Sequence, residues 1–352
     1  LDNELSGGYI FKIDKTTAGG IIQWNSPYLS ASPGSSTIGF QLHDPEGVDM
    51  HPTQLQYIEE YVTNWEDALA GPNFTDPSIG YKKYIDVASF IDFMLVNEVS
   101  KNVDGYRIST FLHKNRVSEG GEIVAGPLWD FNLGFGNANY CSGGSTSGWE
   151  IDFNTICGGS LQNPFWWRRL LEDPSYANAV KCRWLELRQS NLSTEFLMSY
   201  IDSIALVLEL PAERNYNKWP ILGTYVWPNN FIGNTFQEEI DYLKTWISDR
   251  LTWMDNNMFG VCDNLAVNEL TELNAYQVYP NPTNGVLNIV NKENQKKTTI
   301  NLYSAYGGIV KSFEFTDQKE ISLDVSAYSK GLYFMTIQQN NEAYQTIKIE
   351  IQ

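Results

Sequence analysis

The chain has no apolar run of the roughly 20 residues that a membrane-spanning helix needs. Clusters of basic residues are missing too. With 42 acidic side chains against 24 basic ones, and a formal charge of −18, the chain repels a phosphate backbone, which excludes nucleic acid as a partner. None of the four cysteines belongs to a C-x-x-C pair, so the spacing of a zinc site is absent. The chain starts at Leu1 with neither Met nor a signal peptide, and an upstream segment, removed or omitted, is expected.

Aromatic and other hydrophobic residues, by contrast, are plentiful. Hydrophobic residues make up 42% of the 352, enough for a large core, and the length favours two domains. Eleven Trp and twenty Tyr belong mostly to that core, although such a surplus also accompanies extracellular or glycan-facing proteins. Cys141 and Cys157 flank a Gly/Ser-rich loop that a disulfide would restrict, and Cys182 with Cys262 is the remaining pair. Reduced, buried thiols are the alternative.

Residues 1–48 read as β-rich, with a strand from Gly8 to Asp14, a turn at Gly19-Gly20 and a second strand from Ile21 to Trp24. From His51 to Leu69 the apolar residues Leu55, Ile58, Val62, Trp65 and Leu69 recur every three or four positions, which predicts an amphipathic helix. A second helix follows Asp86, a natural N-cap, and runs to Glu98. Beyond Gly136 come the cysteine loop and helices over 164–171 and 176–189, whose Lys181, Arg183 and Arg188 suit a solvated or ion-paired face better than a phosphate dock. Ser193 opens a helix through Ile201, Ile204 and Leu208, Arg214 to Pro228 reads as irregular, and Thr235 opens a last helix with Ile240, Leu243, Ile247, Leu251 and Met254 on one face. The first domain is expected over 1–262 and a linker over 263–276. Residues 277–352, with six strand-like runs separated by Asn-, Gly- and Ser-rich turns, predict a small all-β sandwich, so the fold class is α+β followed by β.

Two isolated acids, Asp104 and Asp130, stand at the edges of apolar sequence. Thr110 to Leu112 and Ile123 to Trp129 read as the strands of a hairpin turning at Glu119-Gly120-Gly121, so the two acids fall at its open ends and can share a pocket. Asp104-Gly105 also has the composition of a plain turn, and Asp130 of a local cap. Trp129 and Phe131 predict that Asp130 lies at the edge of a core, where it needs a partner.

An Asp before such a hairpin and an Asp-Phe pair after it is similar to the protein-kinase layout, in which the first accepts the substrate hydroxyl and the second holds magnesium. Together, Asn97-Glu98, Asn102-Val103-Asp104-Gly105-Tyr106-Arg107 and the run Gly126-Pro127-Leu128-Trp129-Asp130-Phe131-Asn132-Leu133-Gly134-Phe135-Gly136 resemble the CotH family of secreted, atypical kinase-like proteins. The resemblance covers roughly residues 1–260 and implies a kinase-like domain, mostly its helical large lobe, with its N-terminal lobe missing and part of the ATP site upstream of Leu1. It implies Asp104 and Asp130 as catalytic, Asp130 and Asn132 as metal ligands, and Asn102, Arg107, Ser109 and Asn132 around ATP with Mg or Mn. The acceptor would be a Ser or Thr hydroxyl of a protein. Ser109 stands where kinases place Asn, and Asn132 where many relatives place Asp, which lowers the charge offered to a metal. A non-catalytic surface protein that binds a partner or glycan, or nucleotidyl transfer on the same scaffold, are the alternatives. Tyr9 to Lys12 echoes the strand that carries a kinase's phosphate-binding Lys, but the resemblance places it after that lobe.

The segment Val278-Tyr279-Pro280-Asn281-Pro282-Thr283-Asn284-Gly285, with Lys330-Gly331-Leu332-Tyr333 and a terminal strand at Lys348-Ile349, resembles the C-terminal sorting domain of the type IX secretion system of Bacteroidetes. It implies the secretion machinery as a partner, a secreted or cell-surface location, and no part in chemistry.

Overall fold

The computed structural model describes residues 3–17, 19–31, 36–262, 276–291, 298–304, 309–315, 318–339 and 343–352. Two units divide the chain, Leu1–Cys262 and Asp263–Gln352. The linker expected at 263–276 lies, except for Tyr276, outside the described residues.

The first unit runs α1 (Asn3–Ser6), β1 (Tyr9–Ile13), β2 (Trp24–Leu29), β3 (Thr37–Asp44), α2 (Pro52–Ala70), α3 (Val87–Ser100), β4 (Thr110–Lys114) and β5 (Ile123–Ala125). Helices then dominate: α4 (Phe153–Ile156), α5 (Trp166–Leu171), α6 (Pro174–Arg188), α7 (Thr194–Lys218) and α8 (Phe236–Asn257). The five strands form one antiparallel sheet in the order β2-β3-β1-β4-β5. Alternation does the sorting in β1, where Tyr9, Phe11 and Ile13 are buried while Ile10 and Lys12 point to the other face. Because Ile13 pairs with Thr110, the chain leaving β1 lies beside the chain entering β4.

The helical spacing of α2 buries Ile58, Val62, Trp65 and Leu69, and its N-terminus is capped by the His51 ring. Asp86 caps α3, its carboxylate accepting from the Ser89 N–H at 3.1 Å. That helix is buried along most of its length, with Phe90, Phe93, Met94 and Leu95 packed into the core. Trp65 meets Trp166 at 4.6 Å and Trp167 stacks on Phe93 at 5.5 Å, so much of the aromatic surplus is core. On α6, Arg183 pairs with Asp92 and Arg188 with Asp255, as an ion-paired face requires.

Several local expectations are corrected. The second strand runs from Trp24 to Leu29 rather than 21–24, and β3 was not foreseen. β5 stops at Ala125 instead of Trp129, since Gly126 adopts φ +128° and Pro127 has no N–H to extend the ladder. α7 continues through Pro211 to Lys218, where an irregular stretch was expected. It lies on the surface, with no residue fully buried.

Both cysteine pairings form as disulfides, Cys141–Cys157 and Cys182–Cys262. The first closes a loop of 16 residues, so replacing both of its cysteines by Ser should lower the unfolding free energy by about 3 kcal/mol in the chain-entropy picture. Urea titration with and without reductant measures it.

The second unit contains β6 (Tyr276–Tyr279), β7 (Val286–Asn291), β8 (Thr298–Ser304), β9 (Ile309–Phe315), β10 (Glu320–Asp324), β11 (Gly331–Gln339) and β12 (Ala343–Ile351). They make two sheets, β10-β7-β6 and β12-β11-β8-β9. Leu287, Ile289, Ile321 and Leu323 of one share a core with Ile300, Leu302, Met335, Ile337 and Ile349 of the other, which is the expected sandwich. The sequence reading missed β6, whose pairing with β7 ends at Tyr279, just before Pro280.

Candidate functional site

The chain leaves α3 through Lys101, which takes a left-handed φ of +46° and caps the helix. It then folds into a tight loop that carries Asp104 to the end of the sheet. Gly105 is required there, because a Cβ would come within 2.3 Å of the Asn97 amide oxygen. Asp104 is only 6% exposed, so its charge needs partners. It has them: the Arg107 Nη2 donates to Oδ1 at 2.6 Å, and the Lys15 ammonium lies 3.7 Å from Oδ2. Arg107 is itself fully engaged, with Nε on the Val103 carbonyl at 2.9 Å and its plane 4.3 Å from the Phe153 ring. Its role in the structure is to hold the Asp104 loop.

Asn102 joins the two acidic loops. Its Oδ1 accepts the Asp104 N–H at 3.2 Å and its Nδ2 donates to the Asp130 carbonyl at 3.4 Å, so both aspartate backbones lie within the reach of one amide. The expectation that Asp130 sits at a core edge is corrected: Asp130 is exposed, as is Trp129, whose ring packs against Phe111 on the surface. Asn132 is also exposed, and its carbonyl accepts from Asn137. Backbone strain concentrates here. Lys101, Tyr106, Ser109, Asp130, Phe135, Cys141 and Ser142 are the non-glycine residues with positive φ among the described residues, and all fall within 101–142. Each costs on the order of 1–3 kcal/mol and persists only where the surroundings over-determine it, a pattern typical of functional sites.

The pairing of β1 with β4 brings in residues that the sequence reading did not connect to the site. Asp14 accepts the Lys12 ammonium at 2.9 Å and the Ser109 N–H at 3.4 Å. Lys15 follows it and reaches Asp104. A cavity of about 290 Å³ opens beside them, lined in part by Asp14, Lys15, Arg107, Ser160 and Gln162. The Lys12 echo was the one sequence signal for this neighbourhood, and only the strand register turns it into proximity.

Residues 2–254 match the model of the CotH kinase protein family. The chain belongs to that family. Residues 277–352 match the secretion system C-terminal sorting domain, so the CotH unit is followed by a type IX sorting domain and the protein is exported to the cell surface or beyond. No curated protein matches the chain. Among the described residues no helix is long and apolar enough to cross a membrane.

Beneath the CotH loop lies a buried charge network. Glu98, fully buried, accepts the N–H groups of Glu150 and Ile151 at 2.8 Å each, the Tyr106 hydroxyl at 3.1 Å and the Arg250 Nη2 at 3.3 Å. Arg250 also donates from Nε to the Glu98 carbonyl at 2.8 Å. One carboxylate thereby ties α3, the segment at 150–151 and α8 together, four residues before Asn102. The sequence reading listed Glu98 only within the motif and did not foresee Arg250, which is 152 positions away in the chain.

Glu150 is buried with no hydrogen-bond partner for either carboxylate oxygen. Burial, with the Glu98 charge adding to it, pushes its pKa up to about 8 against the pull of Lys101, Arg107 and Arg250. A carboxyl raised in the fold contributes stability that is complete below its unfolded pKa near 4.5 and is lost as pH rises through about 8. Glu150→Gln, which mimics the protonated form, should therefore be near neutral at pH 5 and stabilising at pH 8.5 by on the order of 1–3 kcal/mol. Denaturant titrations at the two pH values decide this.

A hard cation is compatible with the donors that the CotH unit offers at this place. Asp130 and Asn132 present only oxygen, with no nitrogen or sulfur ligand to select a softer metal, and magnesium is commonly held by one or two carboxylates with water and phosphate completing its shell. Among the described residues no group of three or more His, Cys, Asp or Glu could enclose an ion, so most ligands would come from solvent and a bound phosphate.

Proposed function

We propose that the CotH unit is a cell-surface phosphotransferase that moves the γ-phosphoryl group of ATP to a Ser or Thr hydroxyl of a protein. The observation that carries this reading is the Asn102 bridge, which seats the Asp104 loop and the Asp130 loop on one side chain. In a kinase-like large lobe the proton acceptor and the metal-binding acid flank one phosphate, and the bridge brings together the backbones that carry the two acids.

Arg107 holds Asp104 through Oδ1, which leaves Oδ2 to receive the proton of the acceptor hydroxyl. Lys15, half exposed and on a flexible stem, sits over that oxygen and supplies positive charge where the phosphate would enter. Asp130 and Asn132 would hold magnesium, which when bound neutralises phosphate charge and orients the transferred group. The acceptor oxygen forms the new P–O bond as the bond to the leaving diphosphate breaks, and the hydroxyl proton passes to Asp104. Ser109, donating its N–H to Asp14, fixes the far end of the loop.

A second reading, a nucleotide-binding protein without transfer, is favoured by Ser109 and Asn132 at positions where a stronger metal ligand would stand. Incubation of the purified protein with γ-labelled ATP, magnesium or manganese, and casein separates them. Label in casein supports transfer. A thermal shift with magnesium ATP but neither label nor adduct overturns transfer and supports the second reading, and an unlabelled adduct with the mass of a nucleotide in mass spectra indicates nucleotidyl transfer instead, because the γ-phosphate then leaves with pyrophosphate.

A further inference from the structure

Two stretches of the CotH unit contain no Asp, Glu, Lys, Arg or His at all: 131–149 and 219–237. In a chain of charge −18 this is unusual, and the fold brings the two together beside Asp104. The Asn139 N–H donates to the Pro228 carbonyl at 2.9 Å, and the Asn139 Nδ2 to the Tyr225 hydroxyl at 2.8 Å. Tyr140 stacks on Trp227, with 6.0 Å between ring centroids and 10° between planes. On the other flank Asn230 donates to the Tyr242 hydroxyl at 2.9 Å, and Tyr242 stacks face to face on Phe231 at 4.3 Å. Trp227 is nevertheless 70% exposed and Tyr225 50%.

These rings are fixed by neighbours yet bare to solvent, so little rotamer freedom remains to be lost on binding. Exposed, pre-positioned Trp and Tyr are the side chains that most often anchor a ligand. Asn and Ser or Thr side chains and backbone amides surround them, offering donors and acceptors without charge. A peptide partner would call for an enclosed apolar pocket, a free strand edge or a charge of opposite sign, and the platform presents none of these among its described residues. A pyranose ring matches it: its C–H face lies on a flat aromatic ring while its hydroxyls reach planar amides. We infer that Trp227, Tyr225 and the amides around them form a binding platform for a neutral polysaccharide, the kind of polymer a surface-exported protein meets. A Cβ on Gly143, in the first stretch, would come within 2.6 Å of Val103 Cγ1, so that stretch packs against the loop that carries Asp104. The platform is independent of phosphoryl transfer and stands if that reading fails.

Isothermal titration of the full chain with cellohexaose, maltohexaose and mannohexaose, without nucleotide, tests it, with hexagalacturonate as an acidic control. At least one neutral hexasaccharide should bind, and Trp227→Ala should weaken it about tenfold or more without moving the melting temperature. Trp227→Phe should retain part of the affinity, and hexagalacturonate should bind more weakly. Failure of all three neutral sugars to bind, or equal binding by Trp227→Ala, overturns the inference.

Discussion

Asp104→Asn should reduce phosphoryl transfer by about a thousandfold or more while the fold persists. The amide keeps the shape of the carboxylate and still accepts one hydrogen bond from Arg107, but it cannot take a proton from the acceptor hydroxyl. It also removes the negative charge that draws Lys15 over the cavity. Arg107 stays bound to the Val103 carbonyl and to the Phe153 ring, so the loss of its ionic partner should lower stability by no more than about 1–3 kcal/mol. Transfer rates at saturating ATP, read beside the melting curve of the same sample, separate the two effects. A variant that melts normally and transfers at the wild-type rate would remove Asp104 from the chemistry.

Much of the scaffold was legible because it is local. Apolar spacing in α2 and the cap residues Asp86, Ser193 and Thr235 placed the starts of four helices, and the strand-like runs between turns found six of the seven described strands of the sandwich. The misses arise where long-range packing or backbone geometry outweighs local pattern. Trp129 reads as core, yet Gly126 and Pro127 end β5 early and turn the chain outward, so it lies on the surface with Asp130. Arg214 to Pro228 reads as irregular, yet α7 runs through Pro211 to Lys218.

The candidate site divides in the same way. Asp104, Asn102 and Arg107 stand within six positions, and a motif can show them together. Asp14 and Lys15 reach that loop only through the pairing of Ile13 with Thr110, a register that sequence spacing does not encode. The two uncharged stretches are visible in the sequence, but their juxtaposition rests on the contact between Asn139 and Pro228. Side chains carried by one loop are therefore visible together in the sequence, and a neighbourhood assembled from several elements is not.

Arg250→Met should destabilise the CotH unit by about 3–5 kcal/mol, the usual result of stranding one partner of a buried ion pair. Arg250 is completely buried and donates to the Glu98 side chain, to the Glu98 carbonyl and to the carbonyls of Thr146 and Gly148. Methionine fills much of that volume but satisfies none of those acceptors, and Glu98 is left charged in a dry site. Burial already pushes the Glu98 pKa up, and the Arg250 charge is the first influence opposing it. Without that charge Glu98 takes up a proton more readily, so the stability deficit of the variant should shrink as pH falls from 8 towards 5. Adding Glu98→Gln to Arg250→Met should recover part of the loss, because a neutral amide no longer needs a cation, whereas two independent defects would simply add. Urea titrations of both single variants and the double variant at the two pH values test this coupling. Since Glu98 stands four residues before Asn102 and binds the amides at 150–151, transfer should fall in the single variant even at temperatures where it remains folded, and recover with stability in the double.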